Sequence, residues 1–264
     1  MDKQIRWLLK EKYNNKPTKQ FYKDIERLNG DEPLDYVIGF TKFGAPPGSC
    51  KIDLSKKPLI PRPETEFWVK EAIKEIRVSS EFTPWRKFCH KHKIYKIRVL
   101  DIFSGSGCIG VAVLKHIKNS KVDFSDSDKN CLEQIKINLK INKIKENRFK
   151  AIQSDVFKNI KSKYDFIFAN PPYVAVKNKN KIQKSVLKYE PKKALFGGGD
   201  GLFYIRKFLK QAKNYLNSGG VIFMEFSPEQ KKQIEKLILK YKYKNYKFYK
   251  DQHKRWRWAG ISNE

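Results

Sequence analysis

The chain has 264 residues, 40% hydrophobic and 14% aromatic, enough to bury a full core as one large domain or a medium domain with a small appendage. That composition excludes a disordered chain, no run reaches the apolar length of a membrane span, and Met1-Asp2-Lys3-Gln4 lacks a signal peptide's apolar core, so the cytoplasm is the expected compartment. A formal net charge of +29 invites weak contact with RNA or the ribosome, although lysine spread along the whole chain among Ile, Asn and Tyr also fits a solvated coat.

Residues Ile5 to about Leu28 read as helical, apolar at Trp7, Leu8, Phe21, Ile25 and Leu28 and broken by Asn14-Asn15-Lys16-Pro17. From Pro33 the pattern turns extended through Asp35-Tyr36-Val37-Ile38-Gly39-Phe40. A Gly/Pro stretch from Phe43 to Gly48 and then Lys51-Ile52-Asp53-Leu54 complete what reads as a hairpin. In Leu59-Ile60-Pro61-Arg62-Pro63-Glu64-Thr65-Glu66 two prolines frame an arginine ahead of a helix that starts near Thr65 and continues through Phe67, Val69, Ile73 and Ile76. So stiff a loop can aim the Arg62 guanidinium, and the plainer alternative is a local pair with Glu64 or Glu66. Arg77 to Lys96 is basic and irregular, with Trp85, Phe88, Cys89, His90 and His92. Cys-His-Lys-His lacks a fourth ligand at zinc spacing, and Cys50, Cys108 and Cys131 are scattered, so neither a metal site nor a disulfide framework is expected.

A central α/β unit opens with the apolar run Ile97 to Phe103, then Ser104-Gly105-Ser106-Gly107-Cys108 and a helix from Ile109 to about Ile117. In a strand, Gly-x-Gly turn and helix, the backbone can approach a ligand closely and helix amides can face it. A second strand, Lys121 to Ser125, ends at Asp126 ahead of a helix over Lys129–Ile141. Asp126 stands about 20 residues beyond the glycine turn, where such folds place an acid on ribose hydroxyls. Asp128 competes for that role, or caps the helix. A third strand, Phe149 to Gln153, leads to the acidic loop Ser154-Asp155, and a fourth, Tyr164 to Ala169, ends in Asn170-Pro171-Pro172-Tyr173.

The two prolines hold Asn170 out of helical geometry at a strand tip. Its side-chain oxygen and the Pro171 carbonyl become two acceptors on a stiff backbone, suited to an incoming NH2 group, with Tyr173 able to cover a planar amide or base. A strand-ending turn with an aromatic plug is the bland alternative. In an open parallel sheet the glycine turn, Asp126, Asp155 and Asn170 all fall at carboxyl ends of strands and line one crevice.

Lys177 to Lys181 reads as a loop, followed by Val186 to Pro191 and the glycine cluster Ala194 to Gly201. A helix from Leu202 to about Leu216, a stop at Asn217-Ser218-Gly219-Gly220, a strand Val221 to Phe226, a helix Pro228 to Tyr241 and two closing strands, Tyr243 to Phe248 and Trp256 to Ile261, complete the chain.

In this order the motifs resemble a class I S-adenosylmethionine-dependent methyltransferase, more narrowly the bacterial release factor glutamine-N5 methyltransferases. The resemblance runs from Leu34-Asp35-Tyr36-Val37-Ile38-Gly39 through the Pro-Arg-Pro-Glu-Thr-Glu segment, Leu100 to Gly110, Asn170 to Tyr173, Tyr189-Glu190-Pro191 and Ala194 to Leu202. It implies an α/β fold, a Rossmann-like, mostly parallel seven-stranded sheet, with a short N-terminal helical segment over 1–32, a β-hairpin linker over 33–60 and the catalytic domain over 61–264. The cofactor it implies is S-adenosyl-L-methionine, bound by Asp101, Phe103, Gly105, Gly107, Asp126, Ser154, Asp155 and Asn170. By the same resemblance Asn170, Pro171, Pro172 and Tyr173 carry catalysis, and Arg62, Glu64 and Glu190 join them on the substrate, the Gly-Gly-Gln loop of a peptide-chain release factor; a monomer is the default expectation for an enzyme that must dock on so large a substrate. Asn-Pro-Pro-Tyr alone is shared with enzymes that methylate amino groups of RNA or DNA bases, which stand as the alternative. Two departures matter: Phe103 stands where the family has glycine, so it is expected to avoid a positive φ or move its ring aside, and the segment before Pro33 is short.

Overall fold

The computed structural model describes residues 2–44, 48–82 and 96–263. Trp85, Phe88, Cys89, His90 and His92, with most of the Arg77–Lys96 segment, lie outside the described residues, as do Ala45, Pro46 and Pro47.

Two helices, α1 (Lys3–Tyr13) and α2 (Lys19–Asn29), flank the expected break at Asn14, whose φ of 49° ends α1 in a left-handed cap. Leu8 and Phe21 are buried between them, whereas Trp7, expected on the apolar face, is 54% exposed. Asp35 to Ile38 is not extended: Leu34–Ile38 forms a short helix, α3, closed by Gly39 at φ 93°. Val37 and Ile38 are buried here with Leu8 and Phe21, so packing overrides the β-like composition. The hairpin is correspondingly shorter, β1 (Phe40–Phe43) antiparallel to β2 (Cys50–Asp53).

After α4 (Pro63–Phe82) come β3 (Ile97–Ile102), α5 (Cys108–His116), β4 (Ser120–Asp126), α6 (Lys129–Ile141), β5 (Phe149–Gln153) and β6 (Tyr164–Ala169). The Lys177 to Lys181 stretch is a 3-10 turn over Val176–Lys181 rather than an open loop, and short helices α7 (Lys184–Tyr189) and α8 (Lys192–Leu195) follow. Then come α9 (Phe203–Ala212), β7 (Leu216–Glu225), α10 (Lys231–Lys240), β8 (Asn245–Lys250) and β9 (Trp256–Ser262). The Asn217–Gly220 stop is overruled: these residues lie inside β7, and the irregularity they cause is a register shift opposite Tyr164 and Phe166.

Strand order is β5-β4-β3-β6-β7-β9-β8, parallel as far as β7 and antiparallel across β7/β9 and β9/β8. The chain steps outward from β3 through β4 to β5, then returns to add β6 on the other side of β3, and that reversal opens a crevice at the carboxyl ends of the strands. One face of the sheet packs against α4, α5, α6 and the hairpin, with Trp68 stacked near Phe168 and Trp258. The other face packs against α9 and α10, where Phe157 stacks with Phe208 and Tyr215.

Candidate active site

The register pairs Ile102 with Ala169, which sets Phe103 and Asn170 side by side at the crevice. Residues 103–107 turn there with positive φ at Phe103 (61°), Gly105 (54°) and Gly107 (78°). Of the two ways open to Phe103 it takes the second: it keeps the positive φ and its ring moves aside to pack edge-on against Tyr204 and Phe208 at 6.0 and 6.2 Å, which offsets part of the backbone strain. Ser104 pins the turn to its neighbour, its hydroxyl donating to the Asp101 carbonyl at 2.6 Å and accepting the Ser125 N–H at 2.9 Å. Gly110 lets α5 lie against β4, since a Cβ there would sit 2.3 Å from the Phe124 ring.

Asp101 is completely buried behind this turn, off the cavity wall. Its Oδ2 accepts the Gly110 N–H at 2.9 Å, and its Oδ1 has no hydrogen-bond partner among the described residues. Burial pushes the carboxyl well above the usual range, and the nearby Asp126 adds to the shift. Asp126 itself lies on the cavity wall, where the Gly105 and Asp128 N–H groups each donate to it at 2.9 Å. Burial raises its pKa against those two amides. The rival acid is committed elsewhere: Asp128 caps α6 through the Asn130 N–H and pairs with Lys193. Ser154 and Asp155 also reach the wall, but the Ser154 hydroxyl donates back to the Val156 carbonyl at 2.9 Å and Asp155 pairs with Lys207 at 2.6 Å.

Opposite, Asn170 and Pro172 line the same cavity. The Asn170 Nδ2 donates to Thr65 Oγ1 at 3.4 Å, and among the described residues no donor reaches its Oδ1 or the Pro171 carbonyl. Tyr173 does not cover the cavity. It is absent from the cavity lining: its partly buried ring packs against the core and its hydroxyl donates to Glu225 at 2.9 Å, where a buried carboxylate outcompetes a lid position. Glu225 also accepts from the Thr65 hydroxyl at 2.7 Å and the Trp68 indole N–H at 2.6 Å. Gln230 ties the segment down from behind, donating to the Tyr173 and Gly201 carbonyls at 2.9 and 3.2 Å.

Arg62 lies on the wall and its partner is Glu190, at 2.6 Å, rather than Glu64 or Glu66. Glu190 is buried, also accepts the Ile60 N–H at 3.1 Å, and stands off the wall, so it holds the arginine loop from behind. Glu64 turns away to Arg255 at 3.6 Å. Two buried amides of α6 hold the end of the hairpin, Gln134 donating to the Asp53 carboxylate and Asn138 accepting the Asp53 N–H, and Asn138 also ties it to the glycine turn by donating to the Ser106 carbonyl at 2.8 Å. Thr65, Trp68, Glu225, Gln230, Gln134 and Asn138 were not singled out from the sequence. Polar residues inside otherwise apolar runs, as Glu225 is after Val221 to Met224, were the signal.

The family model for the methyltransferase small domain matches residues 90–205. The release factor glutamine methyltransferase of Thermodesulfovibrio yellowstonii is 34% identical over 216 residues, 81% of this chain and 71% of that protein. That of Borreliella burgdorferi is 33% identical over 250 residues, 94% of this chain and 79% of that protein. Among solved structures, the hMettl16 catalytic domain in complex with MAT2A 3'UTR hairpin 6 superposes with a TM-score of 0.60 at 17% identity, covering 81% of this chain and 76% of that one, a likeness of fold alone.

Proposed function

Because the chain belongs to the release factor glutamine methyltransferase family, we propose that it transfers the methyl group of S-adenosylmethionine to the side-chain amide nitrogen, N5, of the glutamine in the Gly-Gly-Gln loop of a translation release factor. The observation that carries this reading is the Asn170 side chain, held at the cavity wall with its nitrogen turned to Thr65 and its oxygen unclaimed.

The residues present suit that cofactor. Gly105, at positive φ, brings backbone to the cavity wall, Asp126 stands there where ribose hydroxyls would be held, and the Asp101 Oδ1 is an orphaned polar atom behind the turn. Gly105, Asp126 and the Ser154-Asp155 loop would hold it, with Phe103 and Asn170 as neighbouring walls and Gly107 shaping the turn from off the wall. When bound, it supplies an electrophilic methyl group on a sulfonium.

The chain's own part is to orient and enrich the nucleophile. An amide nitrogen is weakly nucleophilic because its lone pair is delocalised into the carbonyl. Accepting its two N–H groups on Asn170 Oδ1 and the Pro171 carbonyl raises electron density at nitrogen and fixes its direction. Pro172 keeps those acceptors stiff, Tyr173 anchors them to Glu225, and the proton becomes acidic only as the new bond forms, so no dedicated base is required. Arg62, positioned by Glu190, orders the substrate loop at the entrance. The reading extends to a monomer with a catalytic domain over 61–264, working in the cytoplasm, its basic surface making weak contact with RNA or the ribosome.

Mass spectrometry of a release factor incubated with enzyme and S-adenosylmethionine tests this directly. A single methyl group on the Gly-Gly-Gln glutamine is expected. Methylation of RNA or DNA with every protein unmodified would overturn the reading in favour of a base amino-group enzyme.

A further inference from the structure

Glu225 is the last residue of β7, 1% exposed, and receives three donors from three other parts of the chain. Their chemistry is not interchangeable. The Trp68 indole N–H can only donate, so Glu225 Oε2, which takes it at 2.6 Å, stands as an acceptor. With Oε2 unprotonated, the Thr65 hydroxyl 2.7 Å away spends its single proton on it. Its oxygen is left as an acceptor toward Asn170, and the Asn170 amide must present its NH2 to Thr65 at 3.4 Å and its oxygen to the cavity. Burial raises the Glu225 pKa against these three donors, and a proton on Oε2 would turn toward Thr65 and reverse the polarity, so the relay operates with Oε2 unprotonated.

We propose that Glu225 and Trp68, acting through Thr65, are positioning residues that fix which way round the Asn170 amide stands, and that this polarity makes the site select a carboxamide over a carboxylate. The inference rests on the reading above that Asn170 receives the substrate amide, and it adds the device that keeps Asn170 in the receiving orientation. An asparagine free to turn would offer NH2 as readily as oxygen and would accept a glutamate side chain. Locked, it offers only an acceptor, which a carboxylate cannot satisfy and which repels its charge.

Two experiments test this. In the first, the Asn170 side-chain NH2 resonances, assigned by their loss in Asn170→Asp, are followed in the full chain without substrate. One ordered, exchange-protected pair is expected in the wild type, persisting in Thr65→Ser and Glu225→Gln and losing protection in Thr65→Val. Thr65→Ala serves the same comparison if the valine variant does not fold. In the second, methyl transfer to release factor is measured beside calorimetric binding of S-adenosylmethionine. Thr65→Val is expected to lower kcat about tenfold or more with cofactor affinity within about twofold, and Thr65→Ser to restore it. Glu225→Gln should stay within about threefold, because its carbonyl still faces Trp68 and Thr65 while its NH2 finds the Tyr173 oxygen. Unchanged Asn170 signals or unchanged kcat in Thr65→Val would overturn the proposal, and so would a Glu225→Gln variant as impaired as Thr65→Val, since charge rather than polarity would then matter. A wild-type enzyme inactive on release factor would instead remove the functional reading, with the resonance comparison still deciding the relay.

Discussion

Arg62 and Glu190 stand 128 residues apart in the chain, yet the Arg62 Nη2 lies 2.6 Å from the Glu190 Oε1, and the same carboxylate takes the Ile60 N–H. One buried acid thereby sets both the backbone and the guanidinium of the loop at the cavity entrance. Glu190→Ala leaves an N–H and a partly exposed cation without their acceptor. The expected loss is about 1–3 kcal/mol, discounted for the solvent that still reaches Arg62, with a melting temperature lower by several degrees. Release-factor methylation should show a raised KM with cofactor affinity unchanged, measured by steady-state kinetics and calorimetry.

Asn170→Ala removes one of the two acceptors proposed for the substrate NH2 while leaving the glycine turn and Asp126 in place. Methyl transfer is expected to fall by about a hundredfold or more, the scale of losing one preorganised transition-state contact, with S-adenosylmethionine binding kept within a few-fold. Radiolabel transfer to release factor, run beside calorimetry, reads both. Equal losses in binding and transfer would place Asn170 on the cofactor alone.

Phe103 inverts the usual order of alanine and glycine. At φ 61° any Cβ is strained, so Phe103→Gly should be more stable than Phe103→Ala by about 1 kcal/mol, although both lose the ring contacts with Tyr204 and Phe208. Urea unfolding of the two variants measures the difference, and alanine equal to or better than glycine would show that the turn relaxes.

The N-terminal helices should be the acid-labile part of the fold. Against the cost of its complete burial, hydrogen bonds from Lys12, Tyr13 and Arg27 hold the Asp24 carboxyl below the usual carboxylate range. A depressed carboxyl contributes stability that is present above its unfolded value and lost as pH falls through its folded value. Between about pH 5 and 2, amide exchange in α1 and α2 should accelerate ahead of the central sheet, and Asp24→Asn should flatten that dependence.

Much of the central sheet was legible because its strands are unbroken apolar runs and its turns carry glycine or proline. Ile97 to Ile102 and Tyr164 to Ala169 become β3 and β6, and Asp126, Asp155 and Asn170 line one cavity. Local pattern failed where packing decided. Leu34 to Ile38 has a strand's composition but folds as a helix against α1 and α2, and Asn217 to Gly220 has a turn's composition but continues β7. The interior of the site was illegible for another reason. Arg62 finds Glu190 rather than its neighbours, Tyr173 finds Glu225, and Thr65 meets Glu225 across 160 residues, contacts that no short window of sequence contains.

Glu225 pairs in register with Trp258 on β9, at the seam where the parallel part of the sheet gives way to the antiparallel hairpin. Trp258 in turn stacks near Trp68, the indole that holds the carboxylate. Synthesis is vectorial, and β9 is made after every other strand yet must slot in between β7 and β8. The residues that line the cavity and the three donors to Glu225 all precede β9 in the chain, so the last strand of the sheet adds no group to the wall and supports it from behind, through the Trp258 ring beside Trp68.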